Sequence, residues 1–382
     1  MNRNIILVVG SRALLSFSYG ILNIVISIYL HDIGFSTLSI GEILGTAILI
    51  SAILSFLLAM FADHLGRKYV LTLLFGAFSL SVTGFFSTKD PVLLSIFAGI
   101  GSFTGSGGGP IGSGGPFGAI QTALLTEFSQ KENFVKYLSW ASTIGILSTA
   151  LGSLTLGIYE KIGLRLETIY FIISILGVVS LVLMMFLKDN GLRSRKIIPI
   201  KSWKNIVKLS IPTIPGGVGG GLIIPIFSLW LHLRFNLSIS MIGYIFFISN
   251  LFVILTMLIF AYSKFSQIKT IIYTRIISSL ALILLALSPV LILSIFLFIL
   301  RNSLQMGAIP IRQSFSMSIV DETERATTSG ATSMVRTGFT SISPPFAGEL
   351  LQINLDLPPL IGGLISLFDP ILYYKLFKNK LN

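Results

Sequence analysis

Ala59-Met60-Phe61-Ala62-Asp63-His64-Leu65-Gly66-Arg67-Lys68 joins two apolar runs, residues 38–61 and 69–87. Its chemistry is that of a tight hairpin at a membrane surface. Gly66 permits a sharp turn. Arg67 and Lys68 hold the turn in water, because a cation is costly in hydrocarbon. Asp63 stands just inside the apolar edge, where it can meet a cation or a helix N-terminus.

Outward from this hairpin the chain is apolar almost throughout. Of 382 residues 53% are hydrophobic and only 11% charged, and the mean hydropathy is +0.89. A water-soluble domain carries about 25% charged residues, so this surface is not built for water. A helix needs roughly 20 apolar residues to cross a bilayer core. Twelve runs meet that length: 5–30, 38–61, 69–87, 91–126, 135–158, 167–187, 206–232, 238–261, 269–287, 290–319, 326–350 and 358–376. Arg3 precedes the first run and no small-residue cleavage site follows it, so it reads as an uncleaved span. The reading is an all-α integral membrane protein of twelve transmembrane helices.

An even number of spans places both termini on one side, and Lys and Arg decide which. Nineteen of the 27 fall on the terminal side, including seven from Lys188 to Lys208 and Arg275 near the start of span nine. Only Lys89, Lys161, Arg165 and Arg234 fall opposite, while Arg12, Arg301, Arg312 and Arg336 lie inside spans. Both termini are therefore expected in the cytoplasm of a plasma-membrane protein. The net charge of +12 is topological, and no nucleic-acid partner is expected. The chain has no cysteine, and His31, His64 and His232 lie in separate loops. No metal, cofactor or catalytic set is expected, so the protein is read as no enzyme.

The two halves repeat. Ser27-Ile28-Tyr29-Leu30-His31 closes span one and Ser228-Leu229-Trp230-Leu231-His232 closes span seven, 201 residues later. Gly118-Ala119-Ile120 recurs as Gly307-Ala308-Ile309, and Phe61-Ala62 as Phe260-Ala261, in the same order. The expected organisation is a six-helix bundle over 1–187, a cytoplasmic linker over 188–205 and a second bundle over 206–382.

The quoted hairpin resembles the cytoplasmic loop signature of the major facilitator superfamily, G-x-x-x-D-[RK]-x-G-[RK]-[RK]. Asp63, Gly66, Arg67 and Lys68 match; Ala59 and His64 depart from it. The resemblance implies two pseudo-symmetric six-helix halves, alternating access, and a gating role for this loop. Glu127, at the cytoplasmic end of span four, is a candidate partner for Arg67. The alternative is an ordinary positive-inside hairpin. Gln121 on span four and Arg312 on span ten belong to stretches that resemble one branch of that family.

Intramembrane charge is a functional hypothesis by default. Arg12, Ser16, Tyr19 and Asn23 lie within about 40° of one line at 100° per residue. Arg301, Gln305 and Arg312 repeat the pattern on span ten. The resemblance places spans one, four, seven and ten at a central cavity. Arg12, Tyr19, Asn23, Gln121, Arg301, Gln305, Arg312 and Arg336 are therefore the candidate substrate contacts. Asp369 on span twelve is a candidate proton site, or the structural partner of one of these arginines.

Glycine and proline crowd span four (Gly105 to Pro116) and span seven (Pro212 to Pro225). Uninterrupted helix is not expected there, since Gly costs about 1 kcal/mol and Pro about 3. Either such backbone lines a wet cavity, or its small residues allow close helix packing. The function expected is secondary transport of a small solute, with an organic anion favoured by the arginines. Efflux of neutral or lipophilic compounds, such as a drug or sugar, is the alternative, and a non-transporting receptor a lesser one. The partners expected are a small-molecule substrate and the lipid bilayer, with the protein acting as a monomer.

Overall fold

A computed structural model of the chain describes residues 3–103, 115–129, 134–159, 161–188, 203–262, 266–320 and 325–380. At 59, 60, 63, 64, 134–136, 325–327, 329 and 380 it describes the backbone alone. Regular structure among the described residues is entirely helical.

Eight of the twelve spans fold as single helices. These are α1 (Arg3–Asp32), α2 (Thr37–Leu65), α3 (Arg67–Ser87), α6 (Phe134–Ile158), α7 (Leu166–Met185), α11 (Ile239–Tyr262), α12 (Gln267–Leu287) and α15 (Arg325–Ile353). The other four are interrupted. Span four is α4 (Pro91–Ile100) and α5 (Gly115–Phe128), and span seven is α8 (Trp203–Ser210), α9 (Thr213–Gly221) and α10 (Phe227–Phe235). Span ten is α13 (Leu291–Gly307) and α14 (Ile309–Ile319); span twelve is α16 (Leu357–Ser366) and α17 (Phe368–Phe377).

By length and composition, ten helical segments among the described residues can cross a bilayer. The two crossings outside that set are the interrupted span four and α15. In α15, Thr332, Ser333, Thr337, Thr340, Ser341 and Ser343 dilute the apolar residues, and Pro344 and Pro345 sit inside the helix. A helix this polar crosses a membrane only against protein.

Local chemistry sets the helix ends. Asp90 caps α4 by accepting the amides of Val92 and Leu93, both at 2.9 Å, with Pro91 in the first turn. Gly66 stands before α3 at φ 102°, a conformation open to glycine. Asn236 ends α10 in the left-handed region at φ 50°. After α4 the chain leaves the helix through Gly101 and Ser102, the latter at φ 54°. The Gly/Pro-rich run 104–114 lies outside the described residues.

Span seven is interrupted, as expected, at 211–212 and again at 222–226. Between these breaks helix α9 runs through Gly216, Gly217, Gly219, Gly220 and Gly221. Close packing explains why helix survives there. A Cβ on Gly219 would strike the Gly362 carbonyl of α16 and the Ser366 side chain. Tertiary packing thus overrides the poor helix propensity of glycine.

The chain divides into two compact units. Unit 1 is Met1–Ile33, Thr46–Ile197 and Ser238–Phe247; unit 2 is Gly34–Gly45, Ile198–Leu237 and Ile248–Asn382. In unit 1, α1 is buried along most of its length against α6. The Ser153 hydroxyl donates to the Gly20 carbonyl at 3.1 Å, and a Cβ on Gly152 would strike the Phe17 carbonyl. Ser79 of α3 and Ser174 of α7 share hydrogen bonds of 2.8–2.9 Å. In unit 2, the first turns of α2 pack on α15, where Thr37 donates to the Gly348 carbonyl at 2.8 Å. A Cβ on Gly41 would fall on the Pro344 carbonyl there. Both units are therefore held by backbone-close helix contacts at small residues.

Candidate functional site

In unit 2, five helices bring charge together inside the bundle. Arg275 sits about two turns into α12 and Asp369 in the first turn of α17; both are buried, Asp369 completely. Arg275 Nη1 donates to Asp369 Oδ2. Arg275 Nη2 and Asp369 Oδ1 are buried without a hydrogen-bond partner, so the pair is joined through one atom of each. A Cβ on Gly216 would overlap Asp369 Oδ2 and Arg275 Nη1, so α9 approaches the pair at a residue without a side chain.

Three more arginines surround this pair. Arg312 of α14 donates through Nη2 to the Gln305 carbonyl at 3.1 Å, while its Nε has no partner. Arg336 of α15 lies within range of the charges on Arg275 and Asp369. Arg301 of α13 is 7% exposed. Its guanidinium lies within range of the Arg275 charge, and no hydrogen bond or ion pair holds it among the described residues. The cluster thus has four guanidinium groups and, among the described residues, one carboxylate. Arg275 and Arg301 are buried and Arg312 and Arg336 half-buried, and like charges repel more strongly as the dielectric falls.

The positive-inside count placed Arg275 with the cytoplasmic loops, which is corrected here: it is buried and ion-paired. The signal was present, since Arg275 lies within the apolar run 269–287. Asp369 does take an arginine partner, but it is Arg275 and none of the four intramembrane arginines singled out beforehand. Gln305 is half-buried and lends its backbone carbonyl to Arg312.

In unit 1, Arg12 is 2% exposed and packs beside Ser16 against α6, where a Cβ on Gly145 would lie 3.3 Å from Ser16 Oγ and 3.4 Å from Arg12 Nε. Tyr19 is completely buried, donates to the Gly101 carbonyl at 3.0 Å and meets Phe78 edge-on at 5.8 Å. Its hydroxyl therefore satisfies a carbonyl freed where α4 ends. Asn23 is half-buried. Gln121 of α5 is 0% exposed, and neither its Oε1 nor its Nε2 has a hydrogen-bond partner among the described residues.

At the hairpin between α2 and α3, Arg67 Nη1 reaches Glu127 Oε2 and the Ala123 carbonyl, each at 3.4 Å. Lys68 Nζ donates to the Met185 carbonyl at 2.9 Å. The loop is thereby tied to α5 and to the end of α7. The Asp63 side chain lies outside the described residues.

Ten apolar spans among the described residues, two further crossings and a cluster of intramembrane arginines are the features of a multi-pass membrane transporter. The family profile described as Major Facilitator Superfamily matches residues 8–344, and the chain belongs to that superfamily. An uncharacterized membrane protein of Saccharomyces cerevisiae is 28% identical over 158 residues, a stretch that covers 41% of this chain and 34% of the yeast protein. The nucleoside transporter NupG matches with a TM-score of 0.75 at 15% identity, over 99% of this chain and 100% of that one. A D-xylose–proton symporter matches with a TM-score of 0.74 at 14% identity, over 97% of each chain. The human organic anion transporter MFSD10 matches with a TM-score of 0.70 at 15% identity, over 97% of this chain and 99% of that one. At these identities the likeness is one of fold.

Proposed function

We propose that this transporter moves a small organic anion across the plasma membrane by alternating access, as a monomer with both termini in the cytoplasm. The observation that carries the reading is that, among the described residues, the cluster sets one carboxylate, Asp369, against buried Arg275 and Arg301 and half-buried Arg312 and Arg336, with Arg301 unpaired there. Unpaired cations inside a membrane protein are costly, and a carboxylate or phosphate relieves that cost through paired N–H donors. In this reading Arg301 and Arg312 hold the anion, and Arg336 adds to the field. Arg12 and Gln121 provide a second polar site in unit 1. The tie from Arg67 to Glu127 belongs to the gate. The likeness to a human organic anion transporter is consistent with this cargo.

A second reading, transport of a neutral polar solute, draws on the likeness to a nucleoside transporter and a sugar symporter. Thermal unfolding of the purified protein, with matched anionic, neutral and cationic solutes, separates the two. A ligand at a hundred times its Kd stabilises by about 2.7 kcal/mol. Protection by carboxylates or phosphates, lost in Arg301→Gln, is the expected result. Protection by nucleosides or sugars alone overturns the anion reading.

A further inference from the structure

We propose that the arginine cluster of unit 2 selects a small dianion, a phosphate monoester or a dicarboxylate, over a monoanion of similar size, while Asp369 stays on Arg275 as an internal ligand. The proposal rests on the anion reading above and names the substrate class of the same site.

Three features lead there. The first is how the existing carboxylate is used. Asp369 is completely buried and occupies Nη1 of Arg275, and a Cβ on Gly216 of α9 would overlap the bonded atoms. Backbone therefore closes one side of that bond, which leaves Asp369 as a fixed part of the site.

The second is what remains after that pairing. Arg301 is 7% exposed and has no hydrogen bond or ion pair among the described residues. Arg312 is oriented by one bond, from Nη2 to the Gln305 carbonyl at 3.1 Å, and its Nε is idle. Each offers N–H donors in a fixed planar fork that suits a carboxylate or phosphate.

The third is convergence on one charge, with Arg312 Nη2 on the Gln305 carbonyl, four residues after Arg301 on α13. Arg301 and Arg312 each lie within range of the Arg275 charge, and Arg312 also within range of Arg336. A monoanion bound by one guanidinium leaves the other desolvated and uncompensated. A dianion compensates both, and so gains a second charge-assisted interaction from groups already in place. Neutral solutes gain neither.

The test compares solutes matched for size on the full-length protein in detergent. Butyrate and succinate carry one and two carboxylates on four carbons, and glycerol 3-phosphate and glycerol differ by the phosphate. The concentration giving half-maximal thermal protection is expected to be at least about tenfold lower for succinate or glycerol 3-phosphate than for butyrate. The better of the two dianions identifies the second charge as carboxylate or phosphate. Arg301→Gln and Arg312→Gln are each expected to bring the dianion close to the butyrate value. Arg301→Lys keeps the charge without the fork, and serves where Arg301→Gln fails to fold; it is expected to retain only part of the preference. Equal protection by butyrate and the dianions overturns this proposal and leaves the anion reading standing. Protection by glycerol or another neutral solute, with none by any anion, overturns the anion reading itself.

Discussion

Arg275 and Asp369, 94 residues apart in sequence, form a buried ion pair inside unit 2 through one atom of each, beside the backbone of Gly216. Two helices, α12 and α17, are thereby joined by charge at a point where α9 has no side chain to place. Such a bond is worth little compared with an apolar contact, but losing half of it is expensive. That asymmetry makes the pair easy to interrogate.

Asp369→Asn removes the negative charge and leaves Arg275 buried among like charges. A cost of about 3–5 kcal/mol is expected, read as a large fall in the unfolding midpoint in detergent. The double variant Arg275→Leu with Asp369→Leu removes both charges and is expected to recover most of that loss. A wild-type midpoint for Asp369→Asn would show that the pair does not hold α12 to α17.

Gly216→Ala tests the packing beside the pair. Its Cβ would overlap both bonded atoms, and overpacking of this kind costs about 1–3 kcal/mol. Gly338 on α15 is the control, because a Cβ there meets nothing within 4 Å. Gly338→Ala is expected to be neutral, or to stabilise by up to about 1 kcal/mol through helix propensity. Equal midpoints for the two variants would mean that the ends of the Arg275 and Asp369 side chains, or α9 itself, shift without cost.

Most of the fold was legible because its signals are local. Apolar length places the crossings. The site was legible only as a set of intramembrane charges. Arg275 was read as a loop cation because it lies near the cytoplasmic end of its span, and only the fold brings Asp369 to it. Tyr19 was placed on a polar stripe, but its hydroxyl goes to the Gly101 carbonyl. That partner exists because α4 stops at Ile100, and sequence does not set such a stop to the residue. The breaks of span seven fall on either side of its glycines, at 211–212 and 222–226, for a related reason. Propensity counts against helix there, while packing on α12, α15 and α16 requires the absence of side chains.

The hairpin tie calls for a different measurement. The Arg67–Glu127 contact is 3.4 Å long, and the Arg67 side chain is 25% exposed. The Glu127 side chain is only 5% exposed, so Glu127→Gln, which keeps the shape and loses the charge, is expected to lower the unfolding midpoint modestly, by about 1 kcal/mol. Its effect should appear in transport: slower solute uptake into proteoliposomes, with Arg67→Gln giving the same loss and the double variant no further loss. Additive losses would show that the two side chains act separately.

Gln121 offers the sharpest separation of stability from function. It is 0% exposed, and neither atom of its amide has a partner among the described residues, an arrangement that costs about 1–3 kcal/mol relative to a satisfied or apolar group. Leucine fills a similar volume without the unmet donors and acceptor. Gln121→Leu is therefore expected to raise the unfolding midpoint. If the amide is kept for the transported solute, the same variant loses uptake in proteoliposomes while gaining stability, the trade expected of a site residue. A stabilised variant with wild-type uptake would remove Gln121 from the site and leave a packing defect in its place. A destabilised variant would show that the amide is satisfied in the folded protein by ordered water, which leucine cannot hold.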